Sequence, residues 1–324
     1  MTFIDENLKP DVSVIVVNYN TEQLLPKMLS DLKLAATNIT LQIIVVDNAS
    51  RDDSEVYMRE HMTDCELIFN QANVGFGRAN NQALSLIRGR YVLLLNTDAF
   101  VSSDTLTKTI SHMDANPECG ILGVRLLGRD GDLQPSCRYF PTPWSLFVQR
   151  AGLQKFFKST RLMDDMQWDH ASVRACDWVP GCYYLIRREV VEQVGLFDPR
   201  YFLYYEEVDH CFAAKKAGWQ VHYYPDTTVV HIGGESAKSD GEITSSGHQL
   251  MALQVESELL YIRKNHGAFA VFMNVILTTL ASAIVLAKSL LKARRPIPFL
   301  FCGQQVLLVW KSYFETHFGN KATR

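Results

Sequence analysis

Apolar runs rich in β-branched residues alternate with helical segments through the first half of the chain. The runs are Val12–Val17, Gln42–Val46, Leu67–Phe69 and Tyr91–Leu95. They have the length of strands, and their continuous apolar character is typical of strands buried on both faces. Because a helical pattern follows each run, the order predicts an α/β fold with a mostly parallel sheet and helices on both faces.

Other elements follow from caps, turns and periodicity. Helices are expected from Thr21, as N-cap, to Leu34, from Ser50 or Asp52 to Met62, from Phe76 to Ile87 and from Ser103 to Met113. Further along, the pattern predicts a hairpin turn at Gly128–Asp132, an irregular stretch at 140–175, strands at Val179–Ile186 and Val221–Tyr224, and helices at Arg188–Val194 and Glu206–Ala217.

Open α/β sheets bind their ligands at the carboxyl ends of the strands, and in this chain those ends are polar. They are Asn18-Tyr19-Asn20, Asp47-Asn48-Ala49-Ser50, Asn70 to Gly77 and Asn96-Thr97-Asp98. Such side chains suit a nucleotide pocket. The Asp47 carboxylate can accept the N3–H of uracil or thymine while Tyr19 stacks on the base. Asp47 is equally suited to an Asx turn, and Tyr19 to packing at the sheet edge.

The segment from Asn73 to Arg78 is rich in glycine but lacks both the GxGxxG spacing and the GK[ST] of a P-loop. Gly75 and Gly77 permit a close approach of the backbone, and Arg78 can meet a phosphate. The alternative is a glycine-rich entry into a helix. The missing GxGxxG excludes a dinucleotide oxidoreductase.

Asp98 directly follows an apolar strand, where a carboxylate can meet a Mg²⁺ or Mn²⁺ ion that bridges diphosphate oxygens. His231, expected in a loop after a strand, is a second side chain of metal-binding type. Both also have ordinary structural explanations, as a turn or cap residue and as a structural histidine. Three carboxylates, Glu206, Glu207 and Asp209, open a predicted helix. The helix dipole favours acids there, but their mutual repulsion raises at least one pKa, as a general base requires.

The net charge of −3 over 324 residues is unevenly distributed. Residues 251–324 carry +6 and residues 1–250 carry −9. An acidic body argues against nucleic-acid binding, and a basic tail favours a membrane surface as a partner. Seven cysteines without CxxC spacing fit neither a disulfide framework nor a zinc knuckle, and indicate a reducing compartment. The polar start, residues 1–10, has no signal-peptide pattern, so the body is expected in the cytoplasm.

The sequence pattern predicts one long helical stretch over residues 251–292. Its second part, Ala268–Ala287, has about the length of one membrane span. One face of it is polar, with Asn274, Thr278, Ser282, Ser289 and Lys292. A basic cluster of Lys288, Lys292, Arg294 and Arg295 lies at its end. A single span would place this cluster opposite a cytoplasmic body, against the positive-inside tendency. An interfacial or re-entrant segment is therefore favoured, with a true span or an oligomer interface as alternatives.

Six motifs in sequence order together resemble family 2 glycosyltransferases, above all the rhamnosyltransferase-like branch, over about residues 10–265. They lie at Val12–Asn20, Val46–Ser50, Asn73–Gly77 with Asn80-Asn81, Leu95–Asp98, Trp178–Gly181 and Phe202–Asp209. The resemblance implies a GT-A fold, a nucleotide-diphosphate sugar donor, Mg²⁺ or Mn²⁺ as cofactor, and inversion of the anomeric centre.

By position, the resemblance implies that Asp98 and His231 bind the metal and that Glu207 is the catalytic base. It also implies that Asn96 faces the ribose and that Asp47 recognises the pyrimidine. The remaining expected donor contacts are Asn18, Tyr19, Asn73, Gly75, Arg78 and Thr97, and the expected acceptor contacts are Trp178, Glu206 and Asp209.

Two positions depart from the family pattern. Asn96 replaces the first acid of the DXD-type motif and adds no charge to the metal site. Glu207 stands where the base is usually Asp and is one methylene longer, so Glu206 or Asp209 remains an alternative base.

The sequence thus predicts an inverting glycosyltransferase domain at residues 1–250, divided into a nucleotide-sugar half (10–127) and an acceptor half (128–250). A helical membrane-associating region at 251–324 follows, through which a homo-oligomer can also form. The expected donor is dTDP-rhamnose, with a UDP-hexose as the alternative. The expected acceptor is a glycan or polyprenyl-linked glycan of a cell-surface polysaccharide.

Two other functions share parts of this sequence pattern. A catalytically inactive membrane scaffold is favoured only by the Asn96 and Glu207 departures. A nucleotidyltransferase should have a basic, glycine-rich loop after the first strand, and the segment from Asn18 to Thr21 has no basic residue.

Overall fold

The computed structural model describes residues 9–233, 247–291 and 297–324. Among these residues, ten strands form one sheet. They are β1 (Val12–Asn18), β2 (Leu41–Asp47), β3 (Glu66–Phe69), β4 (Tyr91–Leu95), β5 (Ala99–Val101), β6 (Cys119–Leu127), β7 (Leu133–Gln134), β8 (Arg174–Cys176), β9 (Tyr183–Arg187) and β10 (Gln220–His231). The main order is β3-β2-β1-β4-β9-β6-β10-β5, with β7 beside β6 and β8 beside β10.

The helices follow the strands in the order that the sequence predicts for the first half of the chain. They are α1 (Leu25–Ala35), α2 (Ser54–His61), α3 (Phe76–Gln82), α4 (Thr105–Ala115), α5 (Pro143–Arg150), α6 (Arg188–Val194), α7 (Glu206–Lys216), α8 (Gly247–His266), α9 (Ala268–Leu291) and α10 (Ile297–Glu315).

The sheet is parallel in its first half and mixed in its second. Strand β1 lies between β2 and β4 and is parallel to both, and β3 is parallel to β2. In the second half, β9 is antiparallel to β4 and β6, while β10 is parallel to β6 and antiparallel to β5. The carboxyl ends of β1 and β2 are in register at Asn18 and Asp47. The predicted α/β sheet with flanking helices is confirmed, but it is mostly parallel only in its first half and mixed as a whole. Its polar strand ends meet at one edge.

Several predicted boundaries are wrong. Thr21 does not cap a helix, because its hydroxyl donates to the Asn18 side chain, and α1 begins only at Leu25 after a short 3₁₀ turn. Helix α3 ends at Gln82 rather than at residue 87. The stretch 140–175 contains α5, which the Thr142 side chain caps by accepting from the Ser145 amide.

Two further corrections concern the second half. Strand β10 is longer than predicted, so His231 is its last residue and does not lie in a loop. The expected single helix over 251–292 is two helices, α8 and α9, which are separated by Gly267. Gly267 adopts a φ of 90°, which a side chain would disfavour.

The chain divides into two compact units. The sheet unit comprises Met1–Arg138, Met166–Pro199 and Glu206–Ser245, and the helical unit comprises Tyr139–Asp165, Arg200–Tyr205 and Ser246–Arg324. The polar start at residues 1–8 and the basic residues Lys292, Arg294 and Arg295 lie outside the described residues.

Within the helical unit, α9 turns its polar side inward. Asn274, Thr278 and Ser282 are buried, whereas Phe269 is 75% exposed and Leu291 is 88% exposed. By length and composition alone, α9 could cross a membrane, and in the described part of the chain no other helix meets that criterion.

Candidate active site

Asp98 and His231 approach each other at the junction of two strand ends. Asp98 lies between β4 and β5, and His231, at the end of β10, pairs with Ala99 of β5. The Nε2 atom of His231 is 3.5 Å from the Oδ1 atom of Asp98. The other carboxylate oxygen, Oδ2, accepts the Gly233 amide at 3.0 Å. The fold thus brings together two predicted metal ligands that are 133 positions apart in sequence.

Gln134, on β7, fixes the orientation of the His231 ring. Its Nε2 donates to the His231 carbonyl at 2.9 Å, which leaves its Oε1 facing the ring Nδ1 at 3.0 Å. Since Oε1 can only accept, Nδ1 carries the proton in the neutral ring, and Nε2 presents its lone pair towards Asp98. An outer hydrogen bond of this type is what holds metal-binding histidines in the ligating tautomer.

The Asp98–His231 pair fits a divalent cation. In this tautomer both facing atoms are acceptors, and no proton lies between them. Neighbouring ligands of an octahedral Mg²⁺ or Mn²⁺ ion, each about 2.1 Å from the metal, stand about 3 Å apart. The observed 3.5 Å needs little adjustment.

Asp47 is the centre of a hydrogen-bonded turn at the end of β2. Its Oδ1 accepts from Asn18 at 2.9 Å and from the Ser50 hydroxyl at 2.6 Å, and its Oδ2 accepts the Ser50 amide at 3.0 Å. These bonds hold Ala49 at a φ of 66°, a left-handed conformation that costs a non-glycine residue about 1–2 kcal/mol. A carboxylate has about four acceptor positions, so one is left for a base N–H. Tyr19, buried beside Asn18, is the predicted stacking partner.

A chain of hydrogen bonds connects this turn to the metal pair. Asn18 accepts from the Thr21 hydroxyl at 2.7 Å, and Thr21 in turn lies 2.9 Å from the Thr97 hydroxyl. Thr97 directly precedes Asp98. The Oδ1 atom of Asn96 is buried and has no hydrogen-bond partner among the described residues. An orphaned acceptor of this type is expected where a ligand hydroxyl completes the site.

The glycine-rich segment forms a side-chain network rather than an open phosphate loop. Asn48 donates to the Asn73 side chain at 2.9 Å, and Asn73 also accepts the Gly75 amide at 2.9 Å. Gly75 has a φ of 89°, so glycine is needed there. The Arg78 Nε donates to the Pro199 carbonyl at 2.7 Å, which directs this nitrogen to the protein and not to a phosphate.

Glu206 and Glu207 start α7, and the pKa of each is raised. Burial raises the pKa of Glu207. Hydrogen bonds from backbone amides, including that of Gly181, and the charge of Arg138 act in the opposite direction and lower it. Burial and then the Glu207 charge raise the pKa of Glu206 well above its usual range. Within the described residues, the Oε2 atom of each is buried without a hydrogen-bond partner. A partly desolvated carboxylate with a vacant oxygen is suited to accept a proton.

Cys182, just before β9, is buried beside Asn96 at the end of β4. Burial raises the pKa of its thiol to about 12, with further contributions from the charges of Asp98 and Glu207. Its carbonyl also accepts the Asn96 amide at 3.1 Å. The antiparallel pairing of β9 with β4 brings Cys182 beside the strand end that carries Asn96 and Asp98, and the amide of the preceding residue, Gly181, acts on the Glu207 carboxyl. Glu207 therefore lies near that strand end.

Residues 13–173 match the family model described as glycosyl transferase family 2. The chain carries a family 2 glycosyltransferase domain. A rhamnosyltransferase of Mycobacterium tuberculosis, named N-acetylglucosaminyl-diphospho-decaprenol L-rhamnosyltransferase, is 27% identical over 246 residues, which is 70% of this chain and 78% of that protein. The dTDP-rhamnosyl transferase RfbF of Shigella flexneri is 25% identical over 270 residues, 80% of this chain and 82% of that protein.

A solved structure supports the fold of this glycosyltransferase. It is the mannosyltransferase PcManGT from Pyrobaculum calidifontis in complex with GDP-Man and Mn²⁺. The two chains superpose with a TM-score of 0.55 at 17% identity, over 97% of this chain and 89% of the other. At that identity the likeness establishes the GT-A-like architecture alone.

The predicted acceptor residues of the glycosyltransferase are all buried. Trp178 is 3% exposed, and its ring packs against the Arg138 guanidinium, 4.7 Å from the ring centroid. Asp209 is 3% exposed and Glu206 is 4% exposed. Contacts of these residues with an acceptor remain a prediction.

Sequence reasoning missed three residues that organise the glycosyltransferase site. Gln134 was passed over because it lies in a hairpin far from any motif. The sequence predicts Thr21 as a helix cap, and Asn48 only as a member of a polar strand end. Of the three, Asn48 belongs to a polar strand end and Thr21 directly follows one, whereas Gln134 has no such signal.

Proposed function

We propose that the protein is a metal-dependent, inverting glycosyltransferase that transfers rhamnose from dTDP-rhamnose to a polyprenyl-linked glycan, in the assembly of a cell-surface polysaccharide. The observation that carries this proposal is the convergence of the Asp98 and His231 ligand atoms at 3.5 Å, in the same strand-end region as the buried, vacant Glu207 oxygen.

Asp98 and His231 would hold Mg²⁺ or Mn²⁺ together with the donor diphosphate. The ion would neutralise the negative charge that develops on the departing diphosphate. The Gly233 amide on Asp98 and the Gln134 oxygen on His231 keep both ligands oriented before the donor binds. This preorganisation lowers the reorganisation needed during transfer.

Glu207 would take the proton from the acceptor hydroxyl as that oxygen attacks the anomeric carbon. Its raised pKa makes it a stronger base than an exposed glutamate, and its vacant Oε2 gives the proton a destination. Attack from the side opposite the diphosphate inverts the anomeric centre. Glu206 is the less suitable base because it is 4% exposed and its pKa is raised well above its usual range, whereas Glu207 is only half-buried.

The donor is assigned from Asp47 and from the relatives. The remaining acceptor position on Asp47 favours a base with an N3–H, thymine or uracil, over a purine. Both relatives described above are named as rhamnosyl transferases, and one of them as a dTDP-rhamnosyl transferase. A UDP-hexose is the second candidate because uracil presents the same N3–H.

A donor panel tests the function. The full-length protein is incubated with Mn²⁺ or Mg²⁺, N-acetylglucosaminyl-diphospho-polyprenol and one of dTDP-rhamnose, UDP-glucose or GDP-mannose, and released nucleotide diphosphate and product anomer are measured. Turnover with dTDP-rhamnose and an inverted product is expected. A preference for GDP-mannose or a retained anomer would contradict the proposal. Donor binding without turnover of any sugar would favour the inactive scaffold.

The helical unit is proposed to rest on the cytoplasmic face of the membrane that holds the acceptor. The polar side of α9 is turned inward, so its exposed side is apolar, with Phe269 at 75%, Leu290 at 73% and Leu291 at 88% exposure. Lys288 donates to the carbonyls of Ala151 and Gly152, whereas the basic residues that follow α9 in sequence, Lys292, Arg294 and Arg295, would add attraction to anionic headgroups, about 1 kcal/mol for each residue. Docking on one face of the membrane, without crossing it, would use both the apolar side of α9 and the basic residues.

Flotation with liposomes tests this docking. Full-length protein should float with vesicles of anionic lipid, and Leu290→Ser with Leu291→Ser should reduce the bound fraction. Leu34→Ser, at a residue 65% exposed in the sheet unit, is the matched control and should float like the wild type. Protein that stays in solution and forms dimers through this surface would replace the membrane by an oligomer interface.

A further inference from the structure

A second group of metal-type side chains lies where α4 packs on β6 and β10. One ligand atom each from His112, Cys119 and His222 lies within 4.8 Å of the other two. His222 is near the start of β10, whereas His231 is its last residue. The group is therefore separate from the Asp98–His231 pair, and the proposed transfer reaction leaves it unused.

A bulge in β6 brings Cys119 to this group. Gln220 of β10 pairs with Cys119 and the next residue, Val221, pairs with Ile121, so Gly120 is the extra residue. The bulge places Cys119 on the same face of the sheet as His222, which regular alternation would not do. A Cβ at Gly120 would come within 2.7 Å of Val190 and 2.8 Å of Trp219, so glycine is required there.

The hydrogen bonds of the two histidines leave one nitrogen of each facing the other. The His222 Nε2 lies 2.9 Å from the Gln220 Oε1 and donates to it, so the His222 Nδ1 carries a lone pair. That Nδ1 is 3.0 Å from the His112 Nε2. Without an ion, the His112 Nε2–H donates a hydrogen bond to the His222 Nδ1. A cation can replace that proton when His112 moves it to its own Nδ1.

The surroundings favour neutral ligands and a positive ion. Burial, and for His112 also the neighbouring His222, lowers the pKa of both imidazoles, which favours the neutral form that binds a metal. The carboxylates of Glu118 and Asp226 act on His112 in the opposite direction, which shows that negative charge lies near the group. Neutral imidazoles beside carboxylates are the setting in which a divalent cation gains affinity.

We propose that His112, Cys119 and His222 bind one Zn²⁺ ion, or a transition-metal ion of similar preference, through His112 Nε2, His222 Nδ1 and Cys119 Sγ. A thiolate with two imidazoles suits zinc and not magnesium. Water takes the fourth position on the side of His112, the most exposed of the three residues. The Gln220 side chain orients His222 from behind.

Binding exchanges a proton for the metal. The Cys119 thiol is protonated at neutral pH because burial raises its pKa to about 12. On binding, its S–H bond breaks, an S–Zn bond forms, and one proton is released to solvent, while the metal stays divalent. The ion would then connect the last turn of α4 to the first residues of β6 and β10, at the opposite end of β10 from His231.

Cobalt titration of the reduced full-length protein tests the proposal. Co²⁺ should produce a thiolate-to-metal charge-transfer band that saturates at about one equivalent, disappears when Zn²⁺ is added, and releases about one proton per ion in calorimetry. Cys119→Ser should abolish the band. His112→Gln, at the less buried ligand, should weaken Co²⁺ binding at least about tenfold even if Cys119→Ser fails to fold.

Two variants separate this site from others. Cys65→Ser alters a half-buried cysteine elsewhere in the sheet unit and should leave the band unchanged. Asp98→Asn should also leave it unchanged, because the Asp98–His231 pair contains no thiolate. No band at excess Co²⁺, a band lost in Cys65→Ser, or a band lost in Asp98→Asn would each overturn the proposal.

Discussion

Glu258, on α8, holds the buried polar side of α9 in place. Its Oε2 accepts from the Arg150 Nη2 at 2.5 Å and from the Tyr205 hydroxyl at 3.1 Å, and its Oε1 accepts from Asn274 at 2.9 Å. Arg150 also donates to the Thr278 hydroxyl at 2.8 Å. One carboxylate thus joins α5, α8 and α9, and its loss should destabilise the helical unit.

Glu258→Ala should lower the free energy of unfolding by about 3–5 kcal/mol. It leaves the Arg150 guanidinium in a largely buried position without its counter-charge, and breaking such a pair typically costs that amount. Counting the lost hydrogen bonds gives a similar destabilisation. The substitution removes three hydrogen bonds to a charged group, each contributing about 1.5–3 kcal/mol, and hydrogen bonds to water replace part of that loss. Total stabilities of about 5–15 kcal/mol make this a large share.

Urea unfolding of the full chain, followed by circular dichroism, measures the effect. Glu256→Ala is the matched control, because Glu256 lies on the same helix near the surface and bonds only to Thr323 in the described part of the chain. Its cost should stay near 1 kcal/mol. Glu258→Leu combined with Arg150→Met should recover most of the loss, since no charge is then left unpaired. Equal effects of Glu258→Ala and Glu256→Ala would refute the reasoning.

Three further predictions concern the active site. Glu207→Gln should reduce turnover by about 10²–10⁴-fold while donor binding stays intact, and the loss should exceed that of Glu206→Gln. The base must be ionised, and burial raises the pKa of Glu207. Wild-type turnover should therefore decline on acidification at a pH above the usual range of glutamate pKa values. Gln134→Leu should weaken Mn²⁺ binding, measured by calorimetry, about 10–100-fold, and a smaller change would mean that it does not orient His231. Asp47→Asn should weaken dTDP binding by about 1–3 kcal/mol and leave GDP binding unchanged; equal affinity of the wild type for both nucleotides would contradict the base assignment.

The first half of the sheet could be predicted because each buried parallel strand is a continuous apolar run that ends in polar residues. Val12–Val17 and Tyr91–Leu95 have this form, and the structure places β1 and β4 there. Parallel strands align their carboxyl ends, so the sequence alone assigns Asn18, Asp47 and Asp98 to one edge of the sheet.

The partners of these residues could not be predicted in the same way. The contact of Gln134 with His231 depends on a two-residue strand and on the end of β10, neither of which has a strong local pattern. The Cys119 position depends on a bulge at Gly120, which shifts a side chain to the other face without changing the apolar pattern.

The orientation of α9 also escaped prediction. Hydropathy identifies a polar face containing Asn274 and Thr278 but not whether that face meets water or protein. In the structure Glu258 and Arg150, from other elements, satisfy these side chains and bury them. The apolar side is therefore outward, and only the tertiary contacts reveal it.

The most direct test of the central claim is Mn²⁺-dependent transfer compared between wild type and Asp98→Asn. The variant keeps the shape of the side chain and removes the charge that binds the ion. The wild type should lose transfer in EDTA and regain it with excess Mn²⁺, while Asp98→Asn should remain inactive and bind Mn²⁺ weakly in calorimetry. Full turnover of the wild type in EDTA, or of Asp98→Asn in Mn²⁺, would contradict the claim that Asp98 and His231 hold a catalytic metal.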